Sequence, residues 1–156
     1  MLRPGCFNLH IFLLSAAILI ADQITKSLVM RSMTLNQSIS IIPNFFGLTY
    51  VHNYGAAFGL FAHRTGFFIL IAVAVVIFIL VFMVRIPGEH TLMRVALALQ
   101  LGGALGNLMD RLRFGYVVDF MELRYLPIFN IADMAIVFGI GLLVIDLLRS
   151  PREKGI

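Results

Sequence analysis

Four runs of apolar residues dominate the chain, extending from about Leu9 to Val29, Gly66 to Val84, Leu92 to Leu112 and Ile131 to Leu148. Each is close to the roughly 20 residues that a helix needs to cross about 30 Å of hydrocarbon. The pattern therefore predicts an all-α membrane protein, a single domain over residues 1–156 with four transmembrane helices. Only the second run is free of charged residues, which marks it as the lipid-facing helix. The others carry Asp22 and Lys26, then Asn107, Asp110 and Arg111, then Asp133 and Asp146. Ionisable side chains are costly in hydrocarbon, so these three helices should turn their polar residues toward a shared interior.

The connections differ in kind. Residues 85–91, with Pro87-Gly88, read as a tight turn. Residues 30–65 are too long for a turn, and Ser38 to Ile42 and Phe46 to His52 are rich in β-branched and aromatic residues, with Pro43-Asn44 between them. This predicts a small β-rich subdomain, a hairpin or sheet, on the outer membrane surface. Residues 113–130 form a link on the same side. The first run resembles the hydrophobic part of a signal peptide, but Asp22-Gln23 follows it where a small-residue cleavage site would stand, so a retained helix is expected.

Composition supports the membrane reading. Of 156 residues, 60% are hydrophobic and 13% charged, against roughly 25% charged in soluble domains. The mean hydropathy is +0.97. A net charge of +4 reflects basic residues scattered singly among apolar runs, which argues against a nucleic-acid partner and for contact with membrane lipid. Four spans put both termini on one side. Cytoplasmic termini place Arg3, Arg85, Arg94, Arg149, Arg152 and Lys154 inside and as many basic residues outside, so charge counting alone gives this orientation only weak support. Cys6 is the only cysteine, so neither an intramolecular disulfide nor a zinc–thiolate cluster is available.

Candidate chemistry centres on two aspartates that bracket the start of the last run. Asp119 follows the third helix, Asp133 falls in the first turn of the fourth, and a turn containing Pro127 lies between them. Both can reach one depth at the outer interface. Asn130 is suited to cap the fourth helix, with Asp133 at the third helical position, as in a capping box. The helix dipole then favours an ionised Asp133, while burial beside a second carboxylate disfavours ionising both. Such a pair has the equipment of an aspartic protease, one group as base and one as acid. The plainer alternative is that Asp133 only caps a helix and Asp119 pairs with Arg113 or Arg124. A second alternative is a small proton- or ion-handling membrane protein using the same carboxylates, and a third a structural subunit.

The other polar residues read as support. Asp22 and Lys26 have the spacing of an ion pair on one helix face, which is favoured over Lys26 as the base for Ser27 or Ser32. Asn107, Asp110 and Arg111 share a face beyond Gly102-Gly103-Ala104-Leu105-Gly106, where small residues let another helix approach. The four histidines lack a metal-binding spacing, and no metal or cofactor is expected. In Asn53-Tyr54-Gly55-Ala56-Ala57-Phe58-Gly59 the small residues allow close approach to a ligand or another segment, or make a simple turn.

Four motifs in order resemble the prolipoprotein signal peptidase (signal peptidase II) family. They are Asp22 to Lys26, Asn53 to Gly59, Gly103 to Arg111 continuing to Val117 to Phe120, and Phe129 to Asp133. The resemblance implies a bacterial aspartic endopeptidase of the cytoplasmic (inner) membrane, with its active site near the extracytoplasmic face. It would remove the signal peptide from diacylglyceryl-modified prolipoproteins just before the lipidated cysteine, without a metal or covalent intermediate. It implies Asp119 and Asp133 as the catalytic pair, and Asn53, Gly55, Asn107, Arg111, Asn130 and Ala132 around the substrate. Asp22, Lys26 and Asp110 would support the fold behind them. Met134 departs from the small residue expected after the second aspartate. The expected state is a monomer, with the outer segment around Tyr54 and Phe58 closing over the substrate.

Overall fold

In hydrocarbon a chain must satisfy its own backbone hydrogen bonds, and a helix does so within one segment. The computed structural model describes residues 9–55, 64–86 and 90–149, where each apolar run is a helix: α1 Leu9–Ser32, α2 Thr65–Arg85, α3 Thr91–Phe114 and α4 Ile131–Arg149. All four are long and apolar enough to cross a membrane. The predicted ends hold to within a few residues, the largest difference being α1, which continues to Ser32. The turn at Pro87-Gly88, Phe58 and its neighbours, Cys6 and His63 lie outside the described residues.

Lipid-soluble helices gain little from burying apolar surface against each other, so they associate through close packing and polar contacts. Helix α3 is the central one, packed against α1, α2 and α4. Its small residues make this possible. A Cβ on Gly102 would lie 2.7 Å from the Ser15 carbonyl oxygen of α1, and one on Gly103 would lie 2.4 Å from the Ala132 carbonyl oxygen of α4. Both contacts are to backbone, which cannot swing aside. Gly103→Ala should therefore separate α3 from α4 and destabilise the fold by about 1–3 kcal/mol, seen as a lower melting temperature in detergent. An unchanged melt would mean that the two helices are not so tightly apposed.

Helix α2 buries only Val76, Ile79 and Met83 inside its span, against Leu97 and Leu101 of α3 and Ile11 of α1. Phe67, Leu70, Phe78 and Val84 remain exposed, the surface expected of a helix facing lipid. At the other extreme, α3 buries Asn107 and Asp110 near its C-terminal end, and α1 buries Asp22 and Lys26.

The segment between α1 and α2 contains β1 Ser38–Ile42 and β2 Phe46–Asn53, antiparallel as predicted. Pro43 and Asn44 make the turn, Asn44 at φ 57° and the Phe45 amide donating to the Ile42 carbonyl at 3.0 Å. The sequence reading missed the third strand. Val117–Leu123, expected within a plain link, is β3 and pairs antiparallel with β2 to give the order β1-β2-β3. Gly115 stops α3 in the left-handed conformation at φ 81°, which turns the chain from helix into strand. One face of the sheet packs Tyr50, Val118 and Phe120 onto Val29 and Met33 at the end of α1. The sheet is thereby fixed to the bundle at the end where the buried polar residues lie.

Candidate active site

Strand β3 carries Asp119, and the geometry of its two neighbours determines what meets it. On one side Asp119 pairs in register with Val51 of β2, close to the Asn53 that ends that strand. An aromatic cluster secures this end: the His52 ring stacks on Tyr116 at 3.7 Å, and the Tyr50 hydroxyl lies 2.8 Å from His52 Nε2. On the other side, the link into α4 doubles back against β3. The Phe129 amide donates to the Met121 carbonyl at 3.0 Å, and the Met121 amide donates to the Phe129 carbonyl at 2.8 Å. That short bridge delivers Asn130 to Asp119.

Asn130 then holds both aspartates. Its Nδ2 donates to Asp119 Oδ1 at 2.6 Å, and its Oδ1 accepts the Asp133 amide at 2.9 Å. The Asp133 carboxylate accepts the Asn130 amide at 3.2 Å, which completes the capping box expected from the spacing. Asp119 Oδ2 accepts from Asn53 Nδ2 at 2.8 Å, and Asp133 Oδ1 accepts from Asn107 Nδ2 at 2.8 Å. Asp119 is thus held by two side-chain amides, and Asp133 by the side-chain amide of Asn107 and the backbone amide of Asn130.

Burial and charge set the titration of Asp119, which is 2% exposed. Its carboxyl is raised from 3.8 to about 7, first because burial penalises the charged form and second because Asp133 repels a further negative charge. The amide donors Asn53 and Asn130, and Lys26 at longer range, pull the other way without cancelling these effects.

Behind the pair lies a buried ionic group. Lys26 Nζ is 2.8 Å from both Asp22 Oδ2 and Asp110 Oδ2, and donates to Asn107 Oδ1 at 3.0 Å. The intrahelical pair expected from spacing is present, but Asp110 is an equal partner. With its three N–H groups so engaged, Lys26 is not arranged as a base for Ser27 or Ser32. Asp22 Oδ1 accepts the Ala132 amide at 3.0 Å, tying α1 to the start of α4, and Asp110 Oδ2 accepts the Val118 amide at 3.1 Å, tying α3 to β3. A Cβ on Gly106 would stand 2.5 Å from Asp22 Oδ2, so glycine there is what admits the carboxylate beneath α3.

Arg111 faces the same region, with Nη2 donating to the Gly55 carbonyl at 3.4 Å and its guanidinium 5.3 Å from the Phe68 ring centroid. The alternative partners proposed for Asp119 lie elsewhere: Arg113 reaches Gln23 at 3.4 Å and Arg124 the Asn44 carbonyl at 3.3 Å. Sequence reasoning missed Gln23, whose Nε2 donates to Asp110 Oδ1 at 2.9 Å and to the Gly106 carbonyl at 3.3 Å. Its place inside the Asp22–Lys26 motif was the available signal. Spacing alone gave Asn107 a supporting role and the resemblance placed it around the substrate; in the structure its side chain contacts Asp133 directly.

Four apolar helices carrying a carboxylate pair at one end define a multi-pass membrane protein with the groups of a hydrolytic site. The sequence profile described as "Signal peptidase (SPase) II" matches residues 14–149, and the chain belongs to that family of peptidases. It is 52% identical over 145 residues to the lipoprotein signal peptidase of Moorella thermoacetica, covering 92% of this chain and 97% of that relative. It is 44% identical over 163 residues to the lipoprotein signal peptidase of Photorhabdus laumondii, covering 99% and 97%. A solved structure titled as a bacterial membrane enzyme determined by the in meso method at 2.3 Å superposes with a TM-score of 0.89 at 32% identity, covering 100% of this chain and 99% of that one.

Proposed function

We propose that this chain is an aspartic endopeptidase that removes the signal peptide from diacylglyceryl-modified prolipoproteins just before the lipidated cysteine, with Asp119 and Asp133 as its catalytic pair. The observation that carries this reading is Asn130, whose side-chain amide donates to the Asp119 carboxylate while its backbone amide donates to the Asp133 carboxylate. Asp119, raised to about 7, holds the shared proton, and Asp133 is the charged partner at the N-terminus of α4. The Asp133 carboxylate takes a proton from water as the oxygen attacks the scissile carbonyl, and Asp119 donates to the carbonyl oxygen. The resulting gem-diol collapses when a proton passes to the leaving amine.

The surroundings suit that chemistry. Asn53, Asn107 and Asn130 hold the carboxylates, Ala132 ties α4 to Asp22, and Arg111 holds the Gly55 carbonyl beside them. We take the termini as cytoplasmic and the site as extracytoplasmic. On that orientation the acyl chains of the substrate remain in the outer leaflet of the cytoplasmic membrane while its scissile bond meets water.

The direct test is cleavage of a purified diacylglyceryl-modified prolipoprotein in detergent, with and without chelator, by wild type and folded Asp133→Asn. Wild type should release a signal peptide ending just before the lipidated cysteine in both conditions, and Asp133→Asn should not. Cleavage by Asp133→Asn near the wild-type rate would remove Asp133 from the mechanism.

A pH dependence follows from Asp119. Its folded-state value is raised, so the protonated form is favoured in the folded protein; that stabilisation is complete below about 3.8 and is lost as pH rises through about 7. Activity needing that proton should fall with kcat/KM dropping up to about tenfold per pH unit above 7. Thermal stability should decline as pH rises from about 4 to about 7, and less steeply in Asp119→Asn. A flat activity profile from pH 6 to 9 would contradict a proton held on Asp119.

A further inference from the structure

An ammonium can only donate, and this limits how its neighbours are oriented. Asn107 meets Lys26 on one side and Asp133 on the other. The atom toward Lys26 must be the amide oxygen, at 3.0 Å, which leaves the nitrogen toward Asp133, at 2.8 Å. The same oxygen accepts Asn130 Nδ2 at 3.1 Å, and that nitrogen also donates to Asp119. The polarity of both amides therefore traces back to one buried cation. With Asn107 reversed, its oxygen would face Asp133, and only a protonated Asp133 would satisfy it.

We infer that Lys26 is a positioning residue that fixes the polarity of the Asn107 amide and so determines which of the two aspartates carries the shared proton. This rests on the aspartate-pair reading above. Lys26 thus reaches the chemistry through Asn107 rather than by touching substrate. Its two ion-pair partners would satisfy a merely structural role; the third donor, to Asn107, is the one that role leaves unused. The charged groups around Asp133 are Asp119 on β3, Arg111 and Asp110 on α3, and Asp22 and Lys26 on α1, so a test has to hold the others fixed.

The readout is proton location, which needs no turnover. In carbon-13 aspartate-labelled protein at about pH 6, above the ordinary carboxyl range, infrared difference spectra against Asp133→Asn in each background isolate the Asp133 carboxyl. Asp119→Asn alone should leave Asp133 ionised. Adding Asn107→Ala, or the charge-matched Lys26→Met/Asp110→Asn pair, should make a protonated-carboxyl band of Asp133 appear. With Asp119 intact, the same changes should lower kcat about tenfold to a hundredfold, the size of one lost hydrogen bond to a charged group, with KM within about twofold.

A folded Lys26→Met/Asp110→Asn protein lacking the band would overturn the inference, as would a band already present in Asp119→Asn alone. Should the charge-matched pair fail to fold, Asn107→Ala decides, because the inference requires the band there too. Retained cleavage by Asp119→Asn would instead overturn the aspartate-pair reading and leave the spectral result to stand by itself.

Discussion

Asp119→Asn is expected to reduce kcat for prolipoprotein cleavage by about 10³–10⁴-fold while the protein stays folded. The replacement has nearly the same shape, and its oxygen can still accept from Asn53 or Asn130. It has no proton to give to a developing alkoxide and cannot share one with Asp133. Because the change acts on the chemical step, KM should move little. Its buried position also helps the variant fold: a neutral amide avoids the cost that burial imposes on the charged carboxyl, the main reason Asp119 is raised to about 7. Single-turnover cleavage at saturating enzyme, beside a helical spectrum and a melt, separates loss of chemistry from loss of fold. Activity within about tenfold of wild type, in a folded protein, would mean that Asp119 is not the acid.

Much of this architecture was legible in the sequence, for identifiable reasons. Length and hydropathy give helices in a membrane because the bilayer sets a nearly fixed span. The Asn130–Asp133 capping box was legible because it is local, and so was the Asp22–Lys26 pair. Strand β3 was not. Val117–Leu123 lacks a clean alternation, since Asp119 and Glu122 interrupt it, and its partner β2 lies on the far side of two helices in sequence. The convergence of Asp110 on Lys26, and of Asn107 on Asp133, depends on how α3 packs against α1 and α4. The glycines showed that close packing was available, but the side chains brought together by it follow from rotation and depth. The family resemblance named Asn53 and Asn107, whereas only the geometry shows which carboxylate each one serves.

That packing makes Lys26→Met the substitution with the largest expected effect on stability, about 3–5 kcal/mol. Lys26 is 1% exposed, Asp22 0% and Asp110 1%, so among the described residues the ammonium is the only cation in contact with these two carboxylates removed from water. Methionine fills much of the space and replaces none of the charge. Two carboxylates would then face each other across the α1–α3 contact, which Gly106 has already brought too close for water to relieve. The damage should extend to the site, because Asp22 holds the Ala132 amide at the start of α4 and Asp110 holds the Val118 amide at the start of β3. Lys26→Met should therefore melt well below wild type in detergent and lose the α4 and β3 ends first, which amide exchange at Ala132 and Val118 would report. Adding Asp110→Asn should recover part of the loss: one buried charge is gone, and an amide oxygen in the Oδ2 position can still accept the Val118 amide. If Lys26→Met and wild type melted together, the two carboxylates would have to be satisfied by groups other than Lys26, and the ionic group could not be what ties α1, α3 and β3 to the site.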